Sequence, residues 1–210
     1  MRQDSMRKTE PQHRIALAQR RIVLASASPR RKELLELIGL KFKVVPSTYE
    51  EDMTLKLSPR RLACLLSAKK AEDVALRCPD ALVIAADTFI DLNGRLLGKP
   101  QTPAEAKQML RSLSNRSHEV ITGFTVLDTT SGNRISKAVA TKVYFKKLTR
   151  QEIDAYVASG EPMDKAGAYA IQGLGSIIIK KIDGDYFNVI GLPLNALTSA
   201  LRKFGIAVLK

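Results

Sequence analysis

Cysteine is scarce in this 210-residue chain, and long apolar runs are missing. Cys64 and Cys78 form no CxxC pair, which excludes a disulfide scaffold. His13 and His118 lie too far apart in sequence to suggest a zinc module. No apolar stretch approaches the ~20 residues a membrane helix needs. The first residues are polar and basic and lack the apolar core of a secretory signal. Two free thiols fit a reducing, cytoplasmic compartment. Neither a Walker A phosphate loop nor a dinucleotide-binding glycine fingerprint occurs. Internal repeats, low-complexity tracts and linkers are also absent.

What is present is ordinary globular material, with 45% hydrophobic and 26% charged residues, long enough to bury a full core. The charge balance is less ordinary, with 34 Lys and Arg against 21 Asp and Glu, a net +13. Residues 1–32 hold nine basic and two acidic residues, over half of that excess. A basic field favours phosphate-bearing partners such as nucleic acid, anionic membrane or a polyphosphate substrate. A solvated basic surface without a partner accounts for the charge equally well.

Residues 1–20 read as a mobile basic leader, and 21–210 as a single domain. Strands are expected over 22–26, 42–46, 81–86, 118–127, 135–147, 176–182 and 186–190. Ser28-Pro29 and Ser58-Pro59 each pair a capping residue with proline at the first helical position. Thr102 to Glu105 and Thr149 to Glu152 are capping boxes. Pro193 opens a last helix that stops at Gly205. Asn93-Gly94 marks a tight hairpin. Strands alternating with helices, together with hairpins, predict an α/β fold. The expected architecture is a mixed twisted sheet with flanking helices and two lobes around a cleft.

Four segments carry groups suited to chemistry. Ser26, Ser28, Arg30 and Arg31 cluster at a strand–turn–helix, where unpaired N–H groups and the helix dipole attract anions. Asp87-Thr88 follow the buried run 81–86, at the strand end where such folds place ligands. Glu50-Glu51-Asp52 offer hard oxygen ligands, though a solvated acidic loop would look the same. The stretch 161–175 combines Asp164, Lys165 and Gln172 with three glycines that permit close backbone approach. Lys69 and Lys99 are further candidates for phosphate charge. His118 reads as a structural hydrogen bonder. Cations for phosphates, acids for a metal and a glycine-rich wall are the parts that phosphoanhydride chemistry requires.

These segments, taken in order, resemble the Maf-like nucleoside-triphosphate pyrophosphatases. The similarity rests on LASASPRRKELLELIGL at 24–40, VIAADTFIDLNGRLLGKP at 83–100, SHEVITG at 117–123, EPMDKAGAYAIQGLGS at 161–176 and GLPL at 191–194. The resemblance implies a fold related to the inosine-triphosphate pyrophosphatases. It implies hydrolysis of a nucleoside triphosphate to the monophosphate and pyrophosphate, with a divalent metal (Mg²⁺ or Mn²⁺), and it allows a homodimer. It makes Asp87 the general base and places Arg30, Thr88 and Gln172 at specificity positions. The DKAGAYxIQG form is similar to the branch that prefers dTTP and UTP, with Ala170 where glycine is usual. A housecleaning role on modified pyrimidine nucleotides fits the same implication. The rivals are the 7-methyl-GTP branch and a non-enzymatic nucleic-acid-binding or cell-division regulator.

On this reading Ser26, Arg30 and Arg31 hold the triphosphate, Lys69 and Lys99 balance its charge, and Glu50 or Asp87 carries the metal. Gln172 would read a base edge, since an amide both donates and accepts.

Overall fold

A computed structural model describes residues 20–209. Residues 1–19 of the expected leader lie outside the described residues. In chain order the elements are β1 (Arg21–Leu24), α1 (Pro29–Leu37), β2 (Lys43–Val44), α2 (Pro59–Ala75), β3 (Ala81–Leu92), β4 (Arg95–Leu97) and α3 (Pro103–Leu113). There follow β5 (Ser117–Asp128), β6 (Arg134–Phe145), α4 (Arg150–Ala158), β7 (Ile179–Asp183), α5 (Tyr186–Ile190) and α6 (Leu194–Lys203). Three 3₁₀ turns, Glu161–Asp164, Ala166–Ala168 and Gly173–Ile178, fill the segment between α4 and β7.

The strands form one mixed sheet in the order β2-β1-β3-β5-β6-β7, with β4 paired to β3. The β1–β2 and β1–β3 pairs are parallel, and the rest are antiparallel. This is the expected α/β architecture. Among the described residues no helix is long and apolar enough to cross a membrane.

Helix starts follow the sequence signals. Thr149 and Glu152 complete a reciprocal capping box, and the Thr102 side chain accepts from Glu105 N. Ser28 and Ser58 occupy N-cap positions, but neither side chain caps its helix. Asn93 and Gly94 both adopt positive φ, 53° and 87°, which the two-residue hairpin between β3 and β4 requires.

Two expectations are corrected. Residues 186–190 are helix α5, not a strand. The aromatic and β-branched run Tyr-Phe-Asn-Val-Ile favours a strand, but Asp185 accepts from Phe187 N and Asn188 N and caps a short helix instead. Likewise β3 does not stop at residue 86. It runs on to Leu92 because β5 pairs with it continuously from Leu82↔Asp128 to Asp91↔Glu119. Asp87 and Thr88 therefore sit within a strand, not after one.

The length of β3 sets the lobes. On one sheet face, Leu82, Ile84 and Ala86 pack with α1 and α6 through Leu34, Leu35, Leu197 and Leu201. Farther along the same face, Ile90 and Leu92 pack with α3 and α4 through Leu110, Leu113 and Ile153. Between them stand Thr88 and its cross-strand neighbour Thr122, where the apolar pattern is broken. The opposite face is covered by α2, with Val83 and Ala85 on Ala71 and Val74, and Phe89 on Leu62 and Leu66. Helix α2 lies directly on β5: a Cβ at Gly123 would stand 2.1 Å from Ala63 O.

The sheet also has a gap. β1 pairs β3 only as far as Leu24↔Ile84, and β4 pairs it only from Ile90↔Leu97. Along that edge, residues 85–89 face no strand, and the cleft opens there.

Candidate active site

Strand alternation sends Asp87 and Thr88 to opposite sheet faces. Asp87 shares a face with Ala85 and Phe89 and so meets α2. Its carboxylate is buried and accepts a hydrogen bond from Lys70 Nζ at 2.5 Å through Oδ1. The same ammonium reaches Glu51 Oε1 at 2.5 Å. Asp87 Oδ2 has no hydrogen bond from the described residues, and Asp87 lines the cleft.

Thr88 shares its face with Thr122 and meets α1 and the residue after α5. The Arg31 guanidinium is held on three sides: Nε donates to Gly191 O at 2.9 Å, Nη1 to Ser26 Oγ at 3.1 Å and Nη2 to Thr88 Oγ1 at 3.0 Å. Arginine carries five N–H donors, so two remain for a ligand. Burial pulls this guanidinium below its ordinary pKa, with Asp87 and Glu51 opposing that pull. Thr122 Oγ1 donates to Asn188 O at 3.1 Å, so the 2.9 Å contact between the two threonines must use the Thr88 proton. The thread therefore has one direction, from Arg31 through Thr88 and Thr122 to the α5 backbone. It fixes the Arg31 fork against both lobes.

The cleft has two chambers that meet at Arg30, Arg31, Thr88 and Lys99. The charged chamber holds Ser26, Glu51, Lys70 and Asp87, with the start of α1 on its wall. The second holds Gln172 among Ile90, Val120, Tyr169, Val189 and Ile190. Arg30 spans the mouth between lobes, 3.6 Å from the Asp164 carboxylate. That carboxylate is mostly exposed and is also paired with Lys165. Such a pair is worth ~0–1 kcal/mol, which leaves Arg30 free to exchange Asp164 for a ligand.

Of the residues singled out in the sequence, Ser26, Arg30, Arg31, Asp87, Thr88, Lys99 and Gln172 line this cleft. Lys69 does not; it points outward to Glu72 at 2.9 Å. Glu50 is exposed and contributes nothing to the lining. Their neighbours Lys70 and Glu51 stand in the cleft instead. Lys70 has a signal in the sequence: at helical spacing it falls on the buried stripe of Ala63, Leu66, Ser67 and Val74. A lysine on such a stripe needs a reason to be there. Thr122 and Gly191 fall in the SHEVITG and GLPL segments without a site role expected of either, and their contacts with Thr88 and Arg31 place them here. His118 is the buried hydrogen bonder expected, with Nε2 2.7 Å from Tyr169 Oη behind the second chamber.

The chain is similar to several known proteins. The family model described as Maf-like protein matches residues 21–204. The dTTP/UTP pyrophosphatase of Methanosarcina barkeri is 51% identical over 190 residues, covering 90% of this chain and 96% of that one. The dTTP/UTP pyrophosphatase of Bacillus cereus strain AH820 is 47% identical over 189 residues, covering 90% and 98%. Among solved structures, a HAM1 protein from Coxiella burnetii superposes with a TM-score of 0.49 at 19% identity, covering 88% of this chain and 100% of that one. Matched over nearly its whole described length, the chain belongs to the Maf-like protein family.

Proposed function

We propose that the protein hydrolyses pyrimidine nucleoside triphosphates, dTTP and UTP first among them, to the monophosphate and pyrophosphate. One observation carries this reading most: a buried carboxylate, Asp87, stands in a cation-lined chamber that opens into a second one, where Gln172 lies beside Ile90, Val120, Tyr169, Val189 and Ile190. The first suits phosphates, and the second suits a base. The activity named for the M. barkeri and B. cereus relatives supports the same assignment.

The triphosphate lies over the start of α1, where N–H groups and the dipole favour anions. The two spare donors of Arg31, the Arg30 fork and the Lys99 ammonium meet its oxygens. Asp87 accepts a proton from the attacking water at Oδ2 while Lys70 holds Oδ1. Water oxygen bonds to the α-phosphorus, the bond from that phosphorus to the bridging oxygen breaks, and pyrophosphate carries the electron pair away. Positioning and electrostatic stabilisation supply most of the rate in such a transfer. Gln172 reads the base edge, with Ile90, Val120 and Val189 beside it for the apolar face of the ring.

The residues also fit a divalent cation. Asp87 and Glu51 converge on one point, at present bridged by the Lys70 ammonium. Two carboxylates with substrate phosphate oxygens are what Mg²⁺ or Mn²⁺ takes. When bound, such a cation would offset charge on the phosphates. Among the described residues no three-ligand cluster exists, so the substrate would complete the shell.

The test is pyrophosphate release from dTTP, UTP, CTP, ATP, GTP and 7-methyl-GTP with Mg²⁺ or Mn²⁺. Fast release from dTTP and UTP is expected. Preference for 7-methyl-GTP would reassign the second chamber, and silence across the panel would overturn the reaction.

A further inference from the structure

Gln172 lies in a loop without regular structure, yet its flanks are tethered. The Glu161 carboxylate accepts from Gly175 N through Oε1 and from Leu174 N through Oε2, each at 2.9 Å. Oε1 also accepts from Tyr156 Oη at 2.8 Å. The same tyrosine oxygen accepts from Ala170 N at 3.2 Å. One tyrosine–glutamate pair thus holds the backbone two residues before Gln172 and two and three residues after it.

The glycines confirm how closely this pair is fitted. A Cβ at Gly173 would stand 2.5 Å from Glu161 Oε2, and one at Gly175 would stand 2.5 Å from Tyr156 Oη and 2.2 Å from Ala170 O. Tyr156 is itself buried on α4 among Ile153, Val157 and Ile178. The loop is therefore referred to the rigid frame of the second lobe. Burial pushes the Glu161 carboxyl up, but the N–H groups of Gly175 and Leu174 and the Tyr156 hydroxyl outweigh it and hold it ionised. As a carboxylate it can accept all three donors at once.

We infer that Tyr156 and Glu161 are positioning residues for base discrimination: they touch no substrate and set the loop that presents Gln172 to the base. This rests on Gln172 reading the base. Glu161→Gln leaves a single side-chain acceptor oxygen facing three donors and turns an N–H₂ group toward one of them. Tyr156→Phe removes the tether on Ala170 N and keeps the packing.

The readout is the ratio of kcat/KM for UTP to that for CTP, two ribonucleotides that differ only at the N3 and C4 edge an amide reads. That ratio does not depend on how much of a preparation is folded, so a purely structural role leaves it unchanged. Both variants should lower it by about fivefold to tenfold, as expected from one misplaced hydrogen-bond pair, with kcat on UTP falling less than threefold. Gln172→Ala is measured alongside. A ratio that collapses in Gln172→Ala but stays at the wild-type value in both Tyr156→Phe and Glu161→Gln would overturn the inference. A ratio untouched by Gln172→Ala would overturn the base-reading assignment itself, and this inference with it.

Discussion

The two chambers of the cleft share Arg31 but are made of different material. Around Asp87 the wall is charge, with Lys70 between two carboxylates and Arg30, Arg31 and Lys99 on the facing side. Around Gln172 the wall adds Ile90, Val120, Tyr169, Val189 and Ile190 to the cations that both chambers share. The difference comes from a single step along β3. Asp87 turns to α2, which supplies a lysine, and Thr88 turns to the seam between two apolar clusters, where it is bound into a hydroxyl thread. On the proposed function, the first chamber sets the rate and the second the choice of base.

Breaking the charged side should have the largest effect. Asp87→Asn keeps the shape of the residue and removes the proton acceptor, so kcat should fall by ~10²–10⁴ on every nucleotide while their ranking stays. Steady-state rates on the folded variant check this, and near-normal turnover would remove Asp87 from its role. Lys70→Met removes the ammonium that holds Asp87 Oδ1 and Glu51 Oε1. Turnover on dTTP should drop by about 10², whereas Lys69→Met, on the outer face, should change it less than about twofold. Equal effects would mean that the wrong lysine has been placed in the cleft.

The thread between the chambers is the next target. Thr122→Val preserves volume but strips the acceptor from Thr88 and the donor from Asn188 O. Urea unfolding should show a loss of ~1–3 kcal/mol, with KM rising more than kcat falls as the Arg31 fork loosens. An unchanged midpoint and unchanged KM would show that the thread holds nothing.

The last effect lies behind the second chamber and shows in stability, not in turnover. His118 is 3% exposed, and burial lowers its pKa from 6.5 to about 4. Below pH 6.5 the unfolded chain binds a proton there that the folded chain refuses, so stability falls with pH across that window, by up to about 3 kcal/mol. His118→Gln should flatten the slope of melting temperature between pH 6.5 and 4.5, and an unaltered slope would contradict the assignment.

Much of this arrangement was legible in the residues. Capping signals at Thr102 and Thr149 and the Asn93-Gly94 hairpin are local, and local chemistry decided them. What stayed hidden was phase. Lys69 and Lys70 are the same residue type side by side, and only the helical phase of the α2 stripe separates them; Glu50 and Glu51 have no such phase, and only the packing of their loop against Lys70 chooses between them. The length of β3 was hidden for a related reason. A strand through Asp87-Thr88 is held by pairing with β5, which lies about 35 residues away in sequence, and no local signal reports it. Helix α5 shows the converse, a strand-like composition overruled by one capping aspartate.

In the proposed reaction, water attacks the α-phosphorus in the charged chamber. Hydrolysis of dTTP in ¹⁸O-enriched water, with the products weighed by mass spectrometry, tests it directly. Attack at the α-phosphorus puts the label in the nucleoside monophosphate and none in the pyrophosphate. Label in the pyrophosphate would place the attack on the β-phosphorus and contradict the position assigned to Asp87.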